Sequence, residues 1–177
     1  MTNFINFITI ARILLAPIIL VFLIFGNYLV CVLLFFLAGL TDYYDGYLAR
    51  KYNAESELGE ILDPIADKIL IVFILIGLSV ELDSQLMALL SSLIIAREIG
   101  VAALRDYSAR NNLSDRTKVT FLAKVKTSIQ LLTIGLYLLA LAISFNLLVI
   151  ISDIFLIIAT LITLYTGYQY ILSVFRK

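Results

Sequence analysis

The stretch that decides the fold is T41-DYYDGYLARKYNAESELGEILDPIAD-K68, because it sets Asp42, Asp45, Asp63 and Asp67 inside or against runs that are otherwise almost wholly apolar. On a helix, Asp42 and Asp45 stand at i,i+3 and Asp63 and Asp67 at i,i+4, so each pair shares one side of its own helix. Outward from this segment the chain is oil. Of its 177 residues, 62% are hydrophobic and 15% charged, and the mean hydropathy is +1.05. That composition describes an integral membrane protein rather than a soluble domain.

The apolar runs divide into six units at about 8–25, 28–49, 60–80, 86–106, 121–143 and 150–172, each near the roughly 20 residues a helix needs to cross ~30 Å of hydrocarbon. They are continuous and do not alternate as barrel strands do, so the expected fold is an all-α integral membrane protein of six transmembrane helices. There is no internal repeat, low-complexity tract or sign of a second domain, and residues 1–177 read as a single membrane domain. MTNFINFITIAR lacks a basic n-region, and the run after it reads as a span rather than a signal peptide. The connections at Gly26-Asn27, VELDSQ and SFN hold no Lys or Arg, whereas RK at 50–51, the segment from Arg105 to Lys126 and the terminal RK hold nearly all of them. The positive-inside rule then puts both termini in the cytoplasm, with Tyr165, Tyr168, Tyr170 and Phe175 as an aromatic belt at that face.

A rise of 1.5 Å per residue converts this map into depths. Counted inward from the ends without Lys or Arg, Asp42 and Asp67 lie roughly 20 Å in and Asp45 and Asp63 about 25 Å. Arg12 falls at ~20 Å, Arg97 at ~17 Å and Lys126 at ~25 Å, so charges from five helices meet in one layer of the cytoplasmic half, a polar cavity. Asp153 is the exception, and with Ser152 it is expected to cap the outer end of the last helix.

Each charge at the bilayer centre costs ~2.5–3.5 kcal/mol on the insertion scale, and clustered anions repel one another besides. A hard divalent cation offsets that. The single Cys31 and the absence of histidine leave an all-oxygen donor set, which suits Mg²⁺, Mn²⁺ or Ca²⁺ rather than Zn²⁺ or copper. Taken alone, each acid has a purely structural reading: Asp42 as a helix-end cap, Asp45 paired with Arg50, Asp63 as an N-cap before Pro64. Intramembrane acids also mark cation pathways, although the outer halves of the spans hold almost no polar residue to continue one. Gly46, Ala49 and Gly59 beside the acids are either packing residues or gaps through which a ligand approaches, and Arg50 either snorkels or binds phosphate. Without histidine, acid or base work near neutral pH falls to a carboxylate, lysine, tyrosine or water. Arg97 and Arg105 lie two turns apart on one helix. Glu98 or an aspartate is one partner for Arg97, and a phosphate is the other, since guanidinium forks match its oxygens. Lys124 and Lys126 add charge there or act as interface anchors.

Written out, the opening stretch reads D-x-x-D-G-x-x-A-R, eight residues, then G-x-x-x-D-x-x-x-D. This resembles the signature of the CDP-alcohol phosphotransferases, membrane enzymes that move a phosphatidyl or related group from a CDP-linked donor to an alcohol and release CMP. INFITIAR matches that family's P-N-x-x-T-x-x-R at Asn6, Thr9 and Arg12, with Ile5 in place of proline. IAREIGVAALRDYSA and LAKVKTSIQ resemble the branch that uses CDP-diacylglycerol and glycerol 3-phosphate, with Ala123 where glycine commonly precedes the lysine. The resemblance implies a Mg²⁺ (or Mn²⁺) site of Asp42, Asp45, Asp63 and Asp67, with Asp67 also the general base. It implies a donor nucleotide site of Asn6, Thr9, Gly46, Ala49, Arg50, Ser56 and Gly59. The acceptor's phosphate would meet Arg97, Arg105, Lys124 and Lys126. A homodimer in the cell (inner) membrane, its site facing the cytoplasm, is implied as well. The residues leave open another acceptor, as in cardiolipin or phosphatidylinositol-phosphate synthesis, a divalent-cation transporter, or a scaffold.

Overall fold

A computed structural model describes residues 2–52, 56–111 and 121–175. Six helices account for nearly all of them: α1 (Thr2–Ile24), α2 (Tyr28–Tyr52), α3 (Glu57–Glu81), α4 (Gln85–Arg110), α5 (Phe121–Ala142) and α6 (Asn146–Phe175). Five have the length and apolarity to cross a membrane; α3 falls outside that set because Asp63, Asp67, Lys68 and Glu81 crowd it with charge. The helices begin and end a few residues from the expected bounds, most visibly α1, which starts at Thr2 rather than near 8, and α6, which starts at Asn146 rather than near 150.

Three short connections at one end of the bundle are built alike. Each puts one residue in the left-handed region, Gly26 (φ 69°), Asp83 (φ 44°) and Ser144 (φ 54°). At the end of α1, Gly26 N–H bonds to Leu23 C=O at 3.0 Å and Asn27 N–H to Phe22 C=O at 2.9 Å, the paired bonds of a Schellman motif. Ser144 and Phe145 repeat the pattern on Leu141 and Ala140. Such tight reversals force α1/α2, α3/α4 and α5/α6 to run antiparallel.

The helices close into a ring. α1 packs on α2 and α3, α2 on α5, α5 on α6, and α4 on α6 and α3, while α3 also meets α5 across the middle. The half of the interior next to these connections is apolar, with Ile19, Leu23, Ile74, Leu78, Ile134 and Leu138 buried together. Here Gly77 lets α1 come close, since a Cβ on it would stand 2.6 Å from Leu23 Cδ2 and 2.7 Å from Leu20 Cδ1. Large apolar side chains such as Phe7, Leu29, Phe36 and Leu161 face outward, while Thr9, Arg12, Asp45, Lys126, Gln130 and Thr163 are buried. Oil outside and polarity inside is the arrangement a bilayer selects.

Two expectations are corrected. Asp153 does not cap α6: the helix begins about two turns earlier, and the Asp153 carboxylate accepts the Tyr137 hydroxyl at 2.6 Å, joining α5 to α6. Tyr165, Tyr168 and Phe175 are exposed, as a belt requires, but Tyr170 is only 4% exposed and turns into the bundle. One helical turn of 3.6 residues puts position 170 on the face opposite 168.

Candidate active site

The acids meet around a cation carried by α1. Arg12, 1% exposed, donates through Nη1 to Asp42 and, at 3.2 Å, to Asp67, and through Nη2 to Asp45. One turn away, the Thr9 hydroxyl donates to Asp63 at 3.1 Å. All four aspartates from α2 and α3 are thereby held by two α1 residues a turn apart. Asp45 is buried at 3% exposure with one oxygen on Arg12, whereas Asp42 and Asp67 keep 50% and 41% and are the more open to a ligand.

Asp63 does not cap a helix before Pro64. α3 starts at Glu57, Ser56 is its N-cap and accepts Gly59 N–H at 3.0 Å, and Pro64 lies within the helix. The Ser56 hydroxyl donates to Asn6 Oδ1 at 2.9 Å. A Cβ on Gly59 would come within 3.1 Å of Ser56 Oγ and 3.4 Å of Asn6 Oδ1, so Asn6, Ser56 and Gly59 form one tight corner joining α1 to the start of α3. Gly46 sits beside Asp45 on α2. The side chains of Ala49, Arg50 and Lys124 lie outside the described residues.

A second bank of charge stands on α4 and α5. Glu98 accepts Arg97 Nη1 at 2.9 Å and the Lys126 ammonium, so Glu98 is the protein partner of Arg97. Arg97 Nη2 also donates to Thr166 Oγ1 at 2.8 Å, and Arg105 Nη2 to the Tyr170 hydroxyl at 2.7 Å. The two banks face each other across one cavity of about 410 Å³, with Asp42 and Asp67 on one wall and Arg97, Glu98, Arg105 and Lys126 on the other. A separate crevice of about 320 Å³, walled by Phe35, Phe36, Leu40, Leu70 and Leu131, ends on Arg12, Asp42 and Asp67. The open acids are therefore reached from a charged side and from an apolar side.

The donor chemistry fits a hard divalent cation, since Asp42 and Asp67 present oxygen to the cavity with no competing soft ligand. In this geometry Arg12 supplies the counter-charge, and among the described residues no three carboxylates stand at metal-ligand spacing. The part Arg12 plays here is set by packing, although its depth along α1 matches that of Asp42 and Asp67. Thr166 and Tyr170 were missed; the signal was their spacing with Thr163 along an otherwise oily helix.

Residues 2–167 match the family model described as CDP-alcohol phosphatidyltransferase. The chain belongs to that family. Among curated relatives, it is 40% identical over 172 residues to a protein of Rickettsia felis, covering 95% of this chain and 93% of that one. It is 39% identical over 174 residues to one of Rickettsia typhi, 96% of each, and 41% identical over 152 residues to one of Blochmanniella floridana, 85% of this chain and 78% of that one. All three are named CDP-diacylglycerol–glycerol-3-phosphate 3-phosphatidyltransferase. The family membership expected from the aspartate spacing is thus shown.

Proposed function

We infer that this CDP-alcohol phosphatidyltransferase moves the phosphatidyl group of CDP-diacylglycerol to sn-glycerol 3-phosphate, giving phosphatidylglycerolphosphate and CMP. The observation that carries the reading is the shared cavity: open aspartates face a bank of arginine and lysine, which suits an acceptor with a hydroxyl at one end and a phosphate at the other. The names of the relatives point to the same reaction.

In this reading Asp67 takes the proton from the acceptor's primary hydroxyl. That oxygen attacks the β-phosphorus in line, a new P–O bond forms, the bond to the CMP oxygen breaks, and CMP leaves with the electron pair. Arg97, Arg105, Lys124 and Lys126 hold the acceptor's phosphate; Asn6, Thr9, Gly46, Ala49, Arg50, Ser56 and Gly59 line the cytidine and diphosphate. The apolar crevice ending on Asp42 and Asp67 suits the donor's acyl chains, which then stay in the bilayer. Asp42, Asp45, Asp63 and Asp67 would hold Mg²⁺ or Mn²⁺, which when bound neutralises charge on the diphosphate. The remaining residues act by positioning the two substrates, where most of the rate of such transfers originates.

The helices without Lys or Arg at their outer turns support six crossings, with both termini and the cavity on the cytoplasmic side of the inner membrane. A homodimer is part of the proposal from family likeness alone. The test is reconstituted protein given CDP-diacylglycerol, Mg²⁺ and each candidate acceptor in turn, with CMP release as readout. Release with glycerol 3-phosphate alone upholds the reading. Release only with phosphatidylglycerol or an inositol phosphate moves it to another acceptor, and cation flux without CMP makes the protein a transporter.

A further inference from the structure

α6 is the most apolar helix after α1, yet Thr163, Thr166, Gly167 and Tyr170 fall on one face of it at i, i+3, i+4 and i+7, and all four are buried. That face meets the acceptor bank from behind. Thr166 Oγ1 accepts Arg97 Nη2 at 2.8 Å while its own proton goes to Thr163 C=O at 3.0 Å, so the hydroxyl has one rotamer and its free lone pair is aimed at the guanidinium. A Cβ on Gly167 would stand 2.9 Å from Arg97 Cγ and 3.2 Å from its Nε; glycine is what lets the arginine stem lie flat on α6. The Tyr170 hydroxyl accepts Arg105 Nη2 at 2.7 Å, and its ring centroid lies 5.1 Å from the Arg105 guanidinium and 5.8 Å from that of Arg97. Gln130 Nε2 ties Thr163 to α5 at 2.9 Å.

Thr166, Gly167 and Tyr170 do not line the charged cavity; Arg97 and Arg105 do. A free arginine carries about 2 kcal/mol of rotamer entropy, so a guanidinium held from behind is already aimed when its ligand arrives. We propose that α6 is the positioning helix of the acceptor site, with Thr166, Gly167 and Tyr170 setting the direction in which Arg97 and Arg105 present their forks to the acceptor's phosphate. The proposal rests on the reading that those arginines bind that phosphate, and it adds that specificity for a phosphorylated acceptor is set from a helix that touches no substrate.

The test is steady-state kinetics of the full chain in lipid vesicles with Mg²⁺, varying each substrate at saturation of the other. Tyr170→Phe and Thr166→Val are each expected to raise KM for glycerol 3-phosphate about tenfold, with KM for CDP-diacylglycerol unchanged and kcat within about twofold, since each removes one hydrogen bond to a charged group. Arg105→Gln is the reference. If it raises the acceptor KM and the α6 variants do not, the positioning role is wrong while the phosphate reading stands. If Arg105→Gln leaves the acceptor KM unmoved, the phosphate reading fails and the proposal with it. Equal changes in both KM values and kcat mark α6 as merely structural and also overturn it. Should Tyr170→Phe fail to fold, the near-isosteric Thr166→Val decides.

Discussion

The guanidinium of Arg12 stands 3.2 Å from the carboxylate of Asp67, so the residue proposed as general base is held by a side chain from a different helix, 55 positions away in sequence. This relationship separates two jobs within the aspartate cluster. In the proposed mechanism the Asp67 oxygen turned to Arg12 fixes the carboxylate, and the exposed remainder of the group is left to meet an acceptor hydroxyl.

Asp67→Asn keeps the size and most of the hydrogen bonding but cannot take a proton. General-base catalysis contributes typically 10²–10⁴-fold, so CMP release should fall by at least about 100-fold while the protein still folds and inserts. Near wild-type release from Asp67→Asn would remove Asp67 from the base role.

Arg12→Met leaves Asp45 sealed at 3% exposure without its counter-charge. Breaking a buried pair in this way costs about 3–5 kcal/mol, which should appear as a large drop in the thermal midpoint of detergent-solubilised protein. If a divalent cation occupies the same carboxylates, the drop should be smaller in Mg²⁺ than in EDTA. An equal drop in both would argue against a cation at those aspartates.

Removal of divalent cations by EDTA should abolish CMP release, and Mg²⁺ or Mn²⁺ should restore it. Asp42→Asn, altering a carboxylate 50% exposed to the cavity, should raise the Mg²⁺ concentration needed for half-maximal rate about tenfold or more. Full activity in EDTA would end the metal assignment.

Ser56→Ala removes both the N-cap of α3 and the bond to Asn6. The cap alone is worth about 1 kcal/mol. KM for CDP-diacylglycerol should rise severalfold with KM for glycerol 3-phosphate held, because the proposed function puts this corner on the donor side. A change confined to the acceptor KM would reassign it.

Gly77→Ala is the control far from the chemistry. Its Cβ would meet Leu20 and Leu23 at 2.7 and 2.6 Å, and overpacking of that kind costs about 1–3 kcal/mol. The thermal midpoint should fall and neither KM should move.

Much of this protein is written along the chain because helix geometry is local. A fixed rise per residue gives the depth of every charge, and a fixed twist puts Asp42 with Asp45 and Asp63 with Asp67, so the layer of acids needed no tertiary structure. The charge bank of Arg97, Arg105 and Lys126 was legible for the same reason. What the chain could not announce is the rotation of each helix about its own axis and the identity of its neighbours, since those follow from how six side-chain surfaces interlock. That packing made Arg12 the hub of the aspartates, gave Asp153 to Tyr137, and turned Tyr170 from a presumed interface residue into a support for Arg105. Sequence determined which charges share a level in the membrane; only the folded ring decided which of them touch, because contact between helices depends on azimuth and packing, to which a local repeat is blind.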